Sequence, residues 1–280
     1  MKDLQTTYFP TVEAIKAAAG KLNGIAAVSP LEEHPRFSQK YGCKMLFKRE
    51  DLQQVRSYKI RGAYNKISSL SPEETKEGII CASAGNHAQG VALSCKLLKI
   101  KGKIFMPAPT PNQKVEQVKM FGQDYVEVVL VGDTFDDSYH KAIEESEQFG
   151  KPLVHPFDDP KVIEGQGTVG LEIIEQSIIQ TLKYYNIESK ADRENIGIWY
   201  QNKNELEKIA AIGIKVKKWI AYHGFAINIS NNLMDFKKII PCGIENKKVT
   251  NLNEILKQDY SKINNILIAN LLGYLENLTS

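Results

Sequence analysis

The 280-residue chain has no pair of adjacent glycines, no CxxC spacing among its four cysteines and no run of 18 apolar residues. The last absence excludes a membrane-spanning helix. Cys43, Cys81, Cys95 and Cys242 show no zinc spacing, so no metal centre is expected, and their sparse use points to a reducing compartment. Excess charge is scarce as well. The 36 Lys+Arg against 33 Asp+Glu leave a net charge of +3, too small and too scattered for a nucleic-acid surface. The opening MKDLQTTYFP lacks the charged-then-apolar pattern of a secretion signal. A hydrophobic fraction of 42% excludes disorder of the whole chain, and the length suffices for one large or two modest domains. A soluble, cytoplasmic α/β protein is expected.

Composition changes near the middle. The first 176 residues hold 10 of the 11 prolines, 14 of the 19 glycines and only four asparagines. The last 104 hold 14 asparagines, 18 of the 30 isoleucines and both tryptophans, Trp199 and Trp219. Such a shift places a domain boundary near residues 171–180, between a first part, 1–175, and a second, 176–280. No linker marks it: LEIIEQSIIQTLKYY reads through the boundary as one amphipathic helix.

Before the boundary, short β-branched segments bounded by turn residues predict buried strands at Leu46–Lys48, Gly78–Ala82, Lys103–Met106 and Tyr125–Val131. Helices are expected at Lys59–Leu70, Asn86–Leu98, Asn112–Phe121 and Thr134–Phe149, alternating with those strands. Alternation of this kind implies parallel strands joined by right-handed crossovers. Beyond it, Gly197–Tyr200, Ile209–Val216 and Trp219–Ile229 read as successive strands and Ile263–Asn277 as a closing helix, an α+β pattern.

Two segments of the first part carry chemistry. One is KREDLQ (48–53) followed by SYKIRGA (57–63), and the other is ASAGNHAQG (82–90), set between a strand and a helix. A small-residue turn opening a helix presents free backbone N–H groups and a positive dipole end, which suits a carboxylate or phosphate. Such turns also serve as plain connections. Lys59 taken singly is equally a solvated surface group or, in an enclosed apolar site, a nucleophile for aldehydes.

Together these segments resemble threonine dehydratase (threonine ammonia-lyase), a fold-type II pyridoxal-phosphate enzyme. The likeness runs from about residue 5 to 173 and includes TPNQKVEQVKMFG (110–122) and HPFDDPKVIEGQGTVGLEI (155–173). It implies that Lys59 is the Schiff-base lysine, that Asn86 contacts the 3′-oxygen of the cofactor, and that Ser83, Gly85 and His87 form the substrate-carboxylate loop. The implied substrate is a small amino acid. The family's glycine-rich cradle for the cofactor phosphate has no counterpart in a chain without adjacent glycines.

A second nucleophile follows. Cys242, between Pro241 and Gly243, and His223, within YHGFAIN, read singly as a small hydrophobe and a partly buried histidine. GIWY, KIAAIGIKV, WIAYHGFAIN, IIPCGI and VTNL resemble the C-terminal half of octanoyltransferase (lipoyl(octanoyl) transferase), a relative of the biotin and lipoyl ligases. That likeness implies Cys242 as the acyl-thioester nucleophile, Lys208 as its dyad partner and His223 in the site lining, with acyl-carrier protein and lipoyl domains as partners. The family's upstream Arg-Gly-Gly and Tyr-His-Gly-Pro-Gly-Gln stretches are absent. The expected architecture is thus a parallel βα part joined to an α+β part, both incomplete. Such a composite of two partial enzymes is expected to have reduced activity or a purely binding role, and exposed sheet edges could be covered by homo-oligomerisation.

Overall fold

The structure, a computed structural model, describes residues 8, 10–42, 45–192, 195–203, 205–217, 220–234 and 248–275, with backbone alone at 213–217, 220–223 and 272–275. Two compact units emerge. The first comprises Met1–Pro10, Ala17–Ser29 and Arg49–Val169, and the second Thr11–Lys16, Pro30–Lys48 and Gly170–Ser280. In chain order the early elements are α1 (Val12–Lys21), β1 (Leu31–Glu33), α2 (Pro35–Tyr41), β2 (Leu46–Lys48), α3 (Lys59–Ile67) and α4 (Pro72–Thr75).

The first unit is built on β3 (Ile79–Ala82), α5 (Asn86–Leu98), β4 (Gly102–Met106), α6 (Asn112–Gly122), β5 (Val126–Leu130) and α7 (Phe135–Phe149). The three strands are parallel in the order β3-β4-β5, with Ile79 opposite Gly102 and Gly102 opposite Val126. Residues 152–154 add to the free edge of β3: Ile80 donates to the Pro152 carbonyl at 2.9 Å and Val154 donates to that of Ile80 at 2.7 Å. All four residues of β3 are buried because both faces are covered. Ile79, Cys81, Ile104 and Met106 face a core shared with Ala63, Val91, Ala92, Val115 and Val118, while Ile80, Ala82 and Phe105 face Ala142. That alternation is the two-residue period of a strand.

Local chemistry explains the ends. Thr134 caps α7 in a box with Asp137, and Gly150 closes it in the left-handed region at φ 63°. Ser71 and Glu74 make the same box on α4, an element the hydrophobic pattern did not predict. The expected strands and helices of this part appear within a few residues of their predicted ends, but Leu46–Lys48 pairs antiparallel with β1 instead of joining the parallel strands, and neither it nor β5 is fully buried.

One helix, α8 (Pro160–Tyr184), runs through the compositional boundary, as its periodicity predicts. The second unit continues with β6 (Lys190–Ala191), β7 (Ile198–Asn202), β8 (Glu205–Lys217), β9 (Ile220–Ile227), β10 (Lys248–Val249), α9 (Leu252–Ile255) and α10 (Ile263–Leu275). Its sheet has the order β10-β8-β7-β6, with β9 also on β8. The pairs β6·β7, β7·β8 and β8·β9 are antiparallel, and β10 runs parallel to β8. An α+β character is therefore present. The segment 30–48, with its antiparallel β1·β2 pair, is grouped with this unit.

Candidate active site

At the carboxyl end of β3 the chain turns through Ser83, Ala84 and Gly85 into α5. Ser83 Oγ accepts the Gly85 N–H at 3.2 Å, and the Ser83 N–H is held by the Phe105 carbonyl at 3.1 Å. The Gln89 N–H returns to the Gly85 carbonyl at 3.3 Å. The N–H groups of Asn86, His87 and Ala88 therefore have no helical acceptor, and they sit at the positive end of the helix dipole. Asn86 is exposed, and a Cβ placed on Gly85 would meet nothing within 4 Å. The turn opens onto free space, as an anion site requires.

Lys59 is the first residue of α3 and is half-buried. Its Nζ donates to the Pro156 carbonyl at 2.7 Å and lies 5.3 Å from the centre of the Tyr58 ring. Gly90, one turn into α5, rests on the Lys59 backbone: a Cβ there would sit 3.0 Å from both the carbonyl carbon and the oxygen of Lys59. A side chain there would have to push this backbone aside by a few tenths of an ångström, so glycine suits the close approach of α5. The two motifs separated in sequence thus meet.

His87 is only 3% exposed. Its Nε2 pairs with the Val154 carbonyl at 3.0 Å, which makes Nε2–H the donor and leaves Nδ1 an acceptor, buried and without a partner. Burial, reinforced by Lys59 and His155 and opposed by the Val154 bond, pushes the imidazole pKa down to about 4. The ring is neutral and tied to the strand beside it, so what His87 presents at the turn is its backbone N–H. Ser57 Oγ is a second buried polar atom with no partner. An amine can hold an aldehyde, and an uncapped helix end facing open space can hold a carboxylate.

Two supporting groups were not read from the sequence as functional. His155 Nδ1 accepts the N–H groups of Phe157 at 3.3 Å and Asp158 at 2.7 Å, closing the turn that follows Pro156. Burial lowers its pKa; Asp158 and Asp159 oppose that and Lys59 adds to it. The second group is Arg61, 1% exposed, which grips Glu50 through Nε and Nη2 at 2.8 Å each. Arg61 also donates to Thr168 Oγ1 and to the Ala27 carbonyl, both at 3.1 Å. Burial raises the Glu50 carboxyl, but the bonds from Arg61 and Ser29 outweigh it and the pKa falls. These residues lie inside the KREDLQ and SYKIRGA segments, so part of that signature anchors the helix end that carries Lys59. A buried charge two residues past a candidate lysine was the available signal.

In the second unit, Lys208 lies on β8, 6% exposed, with Nζ 5.3 Å from the Trp199 ring centre. Gly197, at φ 146°, makes the room: a Cβ there would stand 2.5 Å from Lys208 Cε. His223 is opposite Ile214 on β9, where only the backbone is described. Cys242 lies outside the described residues. The structure therefore gathers Lys59, Ser83, Gly85, Asn86 and His87 in the first unit and places Lys208 in the second. Among the described residues no group of three His, Cys, Asp or Glu could hold a metal ion, and no helix is long and apolar enough to cross a membrane.

The chain is similar to several known proteins. L-threonine dehydratase biosynthetic IlvA of Halalkalibacterium halodurans is 53% identical over 163 residues, 58% of this chain and 39% of that protein. The Lactococcus lactis protein of the same name is 43% identical over 209 residues, 74% of this chain and 50% of the other. The chain thus spans half or less of the length of these relatives. Among solved structures, the processed form of threonine deaminase isoform 2 from Solanum lycopersicum is 42% identical, with a TM-score of 0.53 over 63% of this chain and 51% of that one. The family described as pyridoxal-phosphate dependent enzyme matches residues 23–235, some three quarters of the sequence. With the lysine, the open helix end and the parallel sheet in place, the chain belongs to the pyridoxal-phosphate dependent enzyme family.

Proposed function

We propose that the chain carries the lysine-bearing part of a lyase site that converts L-threonine or L-serine to a 2-oxo acid and ammonia. The observation that carries this reading is the seating of Gly90 on the Lys59 backbone, which packs the start of α3 against the first turns of α5. Bound pyridoxal phosphate supplies an electron sink that acidifies the substrate Cα–H. Lys59 supplies the amine that holds the cofactor aldehyde and, once released, moves the Cα proton as base and acid. Ser83, Gly85 and the backbone N–H of His87 receive the substrate carboxylate at the positive helix end. Asn86, exposed at that turn, would contact the 3′-oxygen of the cofactor. The reading of the chain as a composite of partial enzymes, with a boundary near residue 175, predicts weak turnover. The test is release of 2-oxo acid and ammonia from L-threonine in excess cofactor. Product that vanishes in Lys59→Ala supports the reading, and no product from the unaltered chain contradicts it.

We propose a second reading for the second unit on its sequence resemblance alone; the pyridoxal-phosphate dependent enzyme family model, which runs through residue 235, covers Lys208 and His223 as well and does not support it. There Cys242 would take an octanoyl group as a thioester from acyl-carrier protein, with Lys208 as its partner and His223 in the lining, and pass it to a lipoyl-domain lysine. An octanoyl adduct on Cys242, seen by mass and lost in Cys242→Ser, is the expected result; an unmodified cysteine contradicts it.

A further inference from the structure

We propose that His155 is a positioning residue: its Nδ1 fixes the turn that aims the Pro156 carbonyl at Lys59 Nζ, and so sets where the amine stands before it meets an aldehyde. The turn is anchored on either side. Val154 is locked to β3 through its N–H on the Ile80 carbonyl at 2.7 Å, and its own carbonyl is held by His87 at 3.0 Å. Asp159 is held by Lys66 at 2.7 Å and caps α8 by accepting the N–H groups of Lys161 and Val162 at 2.8 and 3.1 Å. Only residues 155–158 lie between these fixed points. Within that span the His155 imidazole takes two backbone N–H groups, and Pro156 can donate none. The His155 ring is itself set edge-on to Tyr139, centroids 5.8 Å apart, and to Phe157, 4.6 Å apart. The turn is thus held at both ends and across its middle, and the carbonyl it directs is the acceptor at 2.7 Å from Lys59 Nζ. The functional meaning of this device rests on the reading of Lys59 as the cofactor lysine; the device itself does not.

The test therefore omits the cofactor. Limiting acetic anhydride labels the native chain, and peptide masses give the ratio of Lys59 to Lys101. Lys101 is an exposed lysine bound to the Asp124 carbonyl at 2.7 Å, and it serves as internal reference. His155→Leu keeps bulk against Tyr139 and Phe157 but has no acceptor, and the ratio is expected to rise about tenfold as the charge-assisted bond to Pro156 is lost. His155→Asn, whose side-chain oxygen can accept the same N–H groups, should stay within about twofold of the parent. An unchanged ratio in His155→Leu, or an equal rise in both variants, overturns the proposal. Hydrogen exchange on the unaltered chain needs no variant to fold: the Phe157 and Asp158 amides are expected to be protected, and exchange as fast as in an unstructured peptide overturns it too. A chain that fails to bind cofactor but passes these tests would reject the lyase reading and leave the positioning role standing.

Discussion

Arg61 and Glu50 meet through two hydrogen bonds of 2.8 Å, Nε to Oε2 and Nη2 to Oε1, with the guanidinium almost wholly removed from water. Arg61 lies in the first turn of α3, two residues past Lys59, so the pair ties the start of that helix to Glu50. Removing one partner strands the other charge, so Arg61→Ala should lower unfolding stability by about 3–5 kcal/mol. Exchanging both, as Glu50→Leu with Arg61→Met, should recover most of that loss, because a buried pair offsets its own desolvation poorly. Urea unfolding of the two variants checks it. Equal damage in both would show that the charges themselves are required.

The imidazole of His87 makes stability depend on acid. In the unfolded chain it takes up a proton near pH 6.5, whereas in the folded chain it stays neutral down to about pH 4. Between those values the unfolded state binds more protons, so this contribution is fully present above pH 6.5 and is lost as pH falls through the window. The full difference amounts to about 3 kcal/mol. His87→Gln should flatten the slope of unfolding free energy against pH between 6.5 and 4, measured by denaturant titration. A slope equal to the parent's would remove His87 as its source.

Two glycines predict opposite outcomes. At Gly90 a methyl group would press on the Lys59 backbone at 3.0 Å, where no side chain can swing aside, so Gly90→Ala should destabilise by about 1–3 kcal/mol and slow cofactor capture. Gly170 lies in α8, exposed, with nothing within 4 Å of an added Cβ. Gly170→Ala should stabilise by about 0.5–1 kcal/mol through the helix propensity of alanine. Thermal melts of the two variants read both signs.

Much of the first unit was legible because its signals are local. Ile79-Ile80-Cys81-Ala82 is an apolar run of strand length between turn residues, and Asn86–Leu98 has a helical period and a small-residue entry. The junction helix was legible for the same reason. What escaped depends on residues far apart in sequence. The Arg61 contact to Thr168 spans 107 positions and the Lys59 contact to Pro156 spans 97, distances at which no periodicity operates. The resemblance placed His87 on the carboxylate loop, while the structure turns its ring into the protein toward Val154, a direction spacing does not encode. Likewise, the grouping of residues 30–48 with the second unit follows from packing rather than composition.

The central claim is that Lys59, among 280 residues rich in lysine, is the amine prepared for an aldehyde. Reductive trapping measures this most directly: the chain is equilibrated with a slight molar excess of pyridoxal phosphate, reduced with borohydride, digested, and the modified lysines are mapped by mass. The account predicts modification concentrated on the peptide containing Lys59, abolished in Lys59→Ala without transfer to another lysine. Label spread over exposed lysines, or absent from Lys59, would contradict it.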